Sequence, residues 1–199
     1  MWDERYDEGR FAYGDAPNDF LVESADLLAR GNCLCLAEGQ GRNAAWLAGH
    51  GWDVTAMDQS AVGMARARDL ALSRGVTLRT EVGDLDDYDL GTDRWNTIVS
   101  IFGHVPSVLR RSVHRRVVEA LAPGGTFLLE AYTPAQLDAP GTGGPSDADM
   151  MPTEADLHQE LAGLDFLVSR EVMREVNEGE YHHGESAVVQ IVARKPKGD

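Results

Sequence analysis

The stretch Cys33-Leu-Cys-Leu-Ala-Glu-Gly-Gln-Gly-Arg-Asn-Ala-Ala-Trp-Leu-Ala48 decides how this chain is read. A short apolar run passes through a glycine turn into an amphipathic pattern, the order of a strand handing over to a helix. Gly39 and Gly41 stand at the handover, where a backbone without Cβ atoms turns sharply and lets a ligand lie against it. The N–H groups that open the helix at Arg42 to Ala45 have no partner inside it, so they face whatever fills the crevice. In open α/β sheets that crevice lies outside the carboxyl ends of the strands. A Gly-x-Gly pair says little alone; its weight comes from what surrounds it.

The same alternation recurs on both sides. Residues 34–37 lead into a helical pattern over 42–50, residues 53–57 into 61–74, and residues 96–101 into 107–121. Residues 76–82 read as another strand after Gly75, and 126–131 as one after the turn Pro123-Gly124-Gly125. Strands alternating with helices of this length form βαβ units and a parallel sheet. Beyond Tyr132 the pattern changes. Residues 133–152 include Asp138-Ala-Pro-Gly-Thr-Gly-Gly-Pro-Ser-Asp-Ala-Asp149, which has the composition of a flexible loop. Thr153-Glu-Ala-Asp156 offers an N-cap and an acidic first turn for one more helix. Two extended segments, 165–176 and 185–194, close the chain around Asn177-Glu-Gly-Glu180, which has hairpin-turn chemistry. The expectation is one α/β domain over residues 1–199, Rossmann-like and doubly wound. Its mostly parallel seven-stranded sheet ends in an antiparallel hairpin.

Composition narrows the function. A chain of 199 residues with 43% hydrophobic and 26% charged residues suits a globular domain with a real core. No apolar run approaches the roughly 18 residues that span a bilayer, and Met1-Trp-Asp-Glu-Arg5 lacks the apolar segment of a signal peptide, so a cytoplasmic location is expected. The net charge of −15 argues against nucleic acid or an anionic membrane as partner and favours a small molecule. No feature sets an oligomeric state. Cys33 and Cys35 lie two apart on one strand face, too close and extended for an ordinary disulfide and too few for a zinc site. They read as buried small hydrophobes, and no metal site is expected.

Chemistry-bearing residues gather at successive strand ends. Asp58, 17 positions beyond Gly41, closes the second strand where a carboxylate can accept hydrogen bonds from ribose hydroxyls. Asp84 closes the third, placed for an adenine amine, with the Leu85 N–H aimed at the ring. Taken singly, each aspartate equally suits a loop cap; three consecutive strand ends with Gly-x-Gly, Asp and Asp are a rarer coincidence. His104 follows the fourth strand, over the crevice, either as a general base or as a helix cap and packing ring. His182 and His183 suit a solvated hairpin, with substrate or metal contact the lesser reading. Trp2, Tyr6, Phe11, Tyr13 and Phe20 crowd aromatics into residues 1–20, either as cover for the core or as a flap that shuts out water and faces a sulfonium cation. Arg5 and Arg42 either meet a ligand carboxylate or pair with the chain's own acids.

These residues resemble class I S-adenosylmethionine-dependent methyltransferases, nearest to the small tellurite-resistance-type and thiopurine-type branch. The blocks that carry the resemblance are Ala37-Glu-Gly-Gln-Gly-Arg-Asn-Ala44, Val54-Thr-Ala-Met-Asp-Gln-Ser60, Gly83-Asp-Leu85 and Leu121-Ala-Pro-Gly-Gly-Thr-Phe-Leu-Leu-Glu130. Trp2-Asp-Glu-Arg-Tyr6, Tyr13-Gly14 and Pro17-Asn18 resemble that branch's flap, so the blocks cover most of residues 2–132. The resemblance implies S-adenosyl-L-methionine as cofactor and a small-molecule methyl acceptor such as a thiol or metalloid oxyanion. It implies that Glu38, Gly39 and Gly41 hold the methionyl part and Asp58 the ribose hydroxyls. Gln59 and Ser60 would lie beside the adenosine, Asp84 and Leu85 would read the adenine, and Ile101 would lie near the cofactor. Arg5, Tyr13 and Arg42 follow from the flap and the helix start. Two residues depart from the family pattern: Cys35 and Ala37 stand where Asp and Gly are common. Ala37 fits if its φ is negative; without the Asp, the methionine amino group falls to Glu38 or to backbone carbonyls. Asn96 stands where an acid is frequent, with a structural consequence expected.

Two other classes compete. A non-catalytic cofactor-binding regulatory module would use the same turn. So would a nicotinamide-dependent oxidoreductase, with Ala44 in place of a third glycine.

Overall fold

The computed structural model describes residues 2–7 and 11–198. Seven strands form one sheet in the order β3-β2-β1-β4-β5-β7-β6. They are β1 Asn32–Leu36, β2 Asp53–Asp58, β3 Arg79–Val82, β4 Trp95–Ile101, β5 Leu121–Tyr132, β6 Asp165–Glu178 and β7 His182–Arg194. The first five run parallel, while β7 is antiparallel to β5 and β6 to β7. The strand order reverses between β1 and β4, which makes a crevice at their carboxyl ends.

The apolar runs bury both faces of the sheet. Leu34 and Leu36 of β1 join Ile98, Phe127, Leu129 and Val189 on one face. Cys33 and Cys35 point the other way, among Leu47, Val54, Ala56 and Met64. Both cysteines are free and buried, as expected of small hydrophobes. Helices α3 Arg42–Gly49 and α4 Ala61–Ser73 cover the cysteine face. Helices α5 Ser107–Ala120 and α6 Glu154–Glu160 cover the other. Thr153 and Asp156 form a full capping box at the start of α6. Glu160 then ties α6 to α5 through Arg110 (3.1 Å) and His114 (2.7 Å).

The departures from expectation have local causes. Val76 and Leu78 leave the strand pattern to pack against Ala45, Leu70 and Ala71, so β3 begins only at Arg79. The Pro123-Gly-Gly125 turn becomes a bulged start of β5, between the pairs Trp95–Leu121 and Thr97–Thr126. The hairpin turn lies between Glu178 and His182, slightly later than its composition suggested. Asn96 is structural: its Oδ1 accepts the Asn32 N–H at 3.0 Å.

The Gly- and Pro-rich loop is bound down. Gly141 N–H donates to Glu185 O (2.9 Å), and Thr142 and His183 exchange two backbone bonds (2.6 and 3.0 Å). Asp149 caps α5 by accepting the Ser107 N–H at 2.9 Å. Two short helices carry the N-terminal segment: α1 Trp2–Tyr6, which lies against α4, and α2 Asp19–Glu23.

Candidate active site

The glycine turn joins β1 to α3 as the sequence suggested, with one correction. Ala37 has φ +48°, in the left-handed region, not the negative value that would have made it a neutral replacement for glycine. Gly39 (φ +62°) and Gly41 (φ +87°) follow. A Cβ at Gly41 would stand 2.7 Å from the Ala67 Cα, so α4 crosses too closely for any other residue. A Cβ at Gly39 would stand 2.7 Å from the Tyr6 hydroxyl.

Two carboxylates organise the turn. Glu38 Oε1 accepts the N–H groups of Asn43 (3.0 Å) and Ala44 (2.8 Å), so it caps α3 from the strand side. Burial pushes its pKa up to about 7, against those hydrogen bonds and nearby Arg42. Asp58 accepts the N–H of Gly39 at 2.9 Å and that of Ser60 at 2.8 Å. It thereby spans the ends of β1 and β2, and burial raises its pKa too. The Cys35 thiol is held well above its ordinary pKa, first by its hydrogen bond to Cys33 and then by burial, so it stays protonated.

The flap is closed over this turn. Tyr6, 4% exposed, lies between Gly39 and Gly63. Ser60 Oγ donates to Asp3 of α1, while its oxygen also caps α4 by accepting the Gly63 N–H. Arg5 donates to the Tyr13 hydroxyl at 2.9 Å and stacks over Trp2 and Tyr181 at 5.2 and 4.8 Å. The Ala12 N–H donates to Gln40, and the Asn18 N–H to Asn43, so flap and turn are joined at two backbone points.

The remaining candidates fall into two groups. Asp84 is exposed, with one oxygen accepting the Asp86 N–H (3.0 Å); Gln59 is also exposed. Leu85 is half-buried, and its carbonyl accepts from Arg116 of α5. Leu85 shares a narrow cleft with Leu36, Ser100, Gly103 and His104. Ile101 is buried on the α3 side. Arg42 faces inward to an ion pair with Glu178. Arg5, Tyr13, Arg42 and Ser60 are thus committed to protein contacts.

His104 differs most from expectation. The Tyr132 N–H donates to its Nε2 at 3.0 Å, so Nδ1 carries the proton and donates to Phe102 O at 3.1 Å. Burial lowers its pKa to about 4. The ring has no lone pair left to take a proton from an acceptor, which removes the basis for general-base work in this arrangement. It staples Phe102, a non-glycine residue at φ +53°, to the end of β5.

Sequence reasoning missed an aromatic cluster. Phe102 stacks on Tyr132 at 4.6 Å, and His182 meets Tyr13 (4.5 Å), Phe102 (4.7 Å) and Tyr132 (5.3 Å). Burial lowers the His182 pKa to about 3, and Arg42 contributes, so the ring is neutral. No local pattern announces the cluster, because its members come from four separate segments. Among the described residues, no group of three or more metal-ligating side chains occurs, and no helix is long and apolar enough to cross a membrane.

A family model described as a methyltransferase domain matches residues 33–125, from the start of β1 into β5. The 2-heptyl-1-hydroxyquinolin-4(1H)-one methyltransferase of Mycobacteroides abscessus is 27% identical over 127 residues. That match covers 60% of this chain and 55% of the other, so the chain corresponds to about half the length of that relative. TehB from Haemophilus influenzae superposes with a TM-score of 0.74 at 22% identity, over 89% of this chain and 62% of that one. An S-adenosylmethionine-dependent methyltransferase from Methanosarcina mazei gives 0.70 at 16% identity, over 89% and 98%. The fold is the Rossmann-like methyltransferase fold, with its antiparallel last strands.

Proposed function

We propose that this chain, whose residues 33–125 match a methyltransferase domain, transfers a methyl group from S-adenosylmethionine to a small-molecule acceptor. The observation that carries the reading is the buried Asp58 carboxylate, tied to the Gly39 and Ser60 N–H groups at the switch point of the sheet. Beside it stands Glu38, a second acid of raised pKa. Two acids beside a turn that excludes Cβ atoms suit a ligand with ribose hydroxyls at one end and positive charge at the other.

Gly39, Gly41 and Glu38 would border the methionyl part, Asp58 the ribose, Gln59 the adenosine edge, and Asp84 with Leu85 the adenine; Ile101 would back the site. Arg5, Tyr13, Arg42 and Ser60 would hold the flap and hairpin instead of touching the cofactor. The N-terminal block supports the tellurite-resistance-type and thiopurine-type branch.

When bound, the cofactor supplies a sulfonium methyl group. The acceptor's lone pair forms the new bond to the methyl carbon as the carbon–sulfur bond breaks and its electron pair returns to sulfur. The protein supplies proximity and alignment, worth about 7–11 kcal/mol of barrier. A thiolate, a metalloid oxyanion or a similar anion needs no base, consistent with a His104 whose nitrogens are both engaged. The named substrate of the mycobacterial relative supports a small-molecule acceptor.

Calorimetry decides between the classes. S-adenosylhomocysteine is expected to bind and NAD not to; the reverse result would establish the oxidoreductase reading. Saturable binding without turnover of thiols, phenols, amines or metalloids would leave a regulatory module. His104→Ala tests the base: a kcat/KM pH profile of the same shape in both proteins fits a neutral positioning ring.

A further inference from the structure

Two buried side-chain polar atoms lack a hydrogen-bond partner among the described residues: the Tyr132 hydroxyl and His182 Nδ1. Such atoms are rare in folded proteins, because each costs about 1–3 kcal/mol when dehydrated without compensation. Here the two rings meet edge to face at 5.3 Å, so both orphans belong to one place. It lies at the carboxyl end of β5, past the glycine turn, where the flap, the β6–β7 turn and the Gly-rich loop converge.

The walls are flat. Phe102 and His104 stack parallel to Tyr132 at 4.6 and 5.6 Å, and Tyr13 closes over His182 at 4.5 Å. The cover is slight: a Cβ at Gly143 would stand 2.2 Å from the Tyr132 hydroxyl, so the strap around Gly143 lies directly on that oxygen. The strap is held by backbone bonds of Gly141 and Thr142 to Glu185 and His183 of β7, and by Gln136 Nε2, which donates to Gly141 O at 3.2 Å.

We propose that this cluster is the acceptor pocket of the methyl transfer described above. The Tyr132 hydroxyl and the His182 ring would bind a planar aromatic or heteroaromatic molecule through its ionisable hydroxyl. The inference rests on the methyltransferase reading and narrows it. The rings already touch one another, so a flat molecule would lie against the outer face of the cluster, in the place the Gly143 strap holds. An aromatic cage is also a usual home for cations, but the charges here speak against one. Arg42, Arg5 and Arg174 all bear on His182 and disfavour a further positive charge. Glu178 and Glu130 are paired with Arg42 and Arg174 and so balance part of that field. Burial keeps the Tyr132 proton in place, so the hydroxyl donates to an oxyanion. Neutral His182 offers a second donor through Nδ1 in one tautomer. Two donors on one oxyanion would favour the acceptor's ionised, nucleophilic form.

The test uses the full chain with S-adenosylmethionine and four probes: 1-hydroxyquinolin-4(1H)-one, 4-nitrophenol, 2-mercaptoethanol and tellurite. The two aromatic hydroxyl compounds are expected to be methylated with the higher kcat/KM, and the other two with the lower. Tyr132→Phe and His182→Phe are each expected to raise KM for an aromatic probe roughly tenfold or more, the span of a hydrogen bond to a charged group. S-adenosylhomocysteine affinity is expected to stay unchanged in both. A protein that binds S-adenosylhomocysteine but methylates neither aromatic probe overturns the pocket and leaves the methyltransferase reading standing. So does an unchanged KM in both variants. A protein that binds no S-adenosylhomocysteine overturns both readings together.

Discussion

Glu130 and Tyr132 lie two residues apart on β5, on one face and wholly buried, yet their polar atoms fare oppositely. Glu130 accepts from Asn18, from Arg174 twice (2.8 and 2.7 Å) and from Gln190 (2.7 Å). Around it, Glu178 pairs with Arg42 and Arg174, and also accepts from Asn18. Two acids and two arginines balance, and they join flap, α3, β5 and hairpin into one frame. The Tyr132 hydroxyl has no hydrogen-bond partner among the described residues. A saturated buried network holds a structure in register, whereas an unsaturated one next to it has capacity for a ligand. The difference separates frame from pocket.

The sharpest way to break the frame is Glu130→Ala. It strips a half-buried Arg174 of one partner and leaves Asn18 and Gln190 with unfilled donors, so a loss of about 3–5 kcal/mol is expected in urea unfolding at neutral pH. A loss under 1 kcal/mol would show that the network is solvated and the contrast false. Glu38→Gln comes next and reads out as a slope. Glu38 has a pKa of about 7 in the fold against 4.5 ordinarily, so the folded state keeps a proton that the unfolded chain has released. Wild-type stability therefore falls as pH rises from 4.5 to 7. The variant still caps α3 through its amide oxygen but lacks that slope. Its folding constant is expected to gain on the wild type by up to about tenfold per pH unit across the window, levelling above it. A difference that stays flat with pH would place the Glu38 carboxyl in water.

His104→Phe is expected to cost about 1–3 kcal/mol, because the Tyr132 N–H loses its partner and the Phe102 carbonyl keeps only the residue 104 backbone N–H. Unchanged melting would return His104 to the list of candidate bases. Ala37→Gly is expected to stabilise by about 0.5–1 kcal/mol, since glycine tolerates φ +48° without the Cβ penalty.

What was legible in the sequence follows the range of the interactions. The glycine turn, Asp58 at its strand end, the αβ alternation and the Thr153 N-cap of α6 are local patterns, and the structure places them as read. His104 was located correctly after β4, but its role was not legible, because it depends on the Tyr132 N–H, 28 positions later. For Arg42 and Arg5 a ligand contact and a pairing within the chain stood equally open, because their partners, Glu178 and Tyr181, lie on a hairpin far along the chain. The pocket drew least from local sequence: Tyr13, Phe102, Tyr132 and His182 share no spacing, and only the folded sheet brings them together. The positive φ of Ala37 was hidden for a different reason, since an alanine advertises no left-handed turn.

The smallest expected change in stability carries the most information about frame and pocket. Tyr132→Phe removes one oxygen that makes no hydrogen bond and keeps the ring that stacks on Phe102 and meets Val188 and Met151. If that oxygen is held in reserve for a ligand, its loss relieves a dehydrated polar group, and the melting temperature stays level or rises slightly. An ordered water bonded to it would make the same substitution cost about 1 kcal/mol. Measured beside Glu130→Ala, two residues away on the same face, the two substitutions test the division directly. A large loss at 130 with none at 132 separates the frame from the pocket, and comparable losses at both would merge them into one structural network.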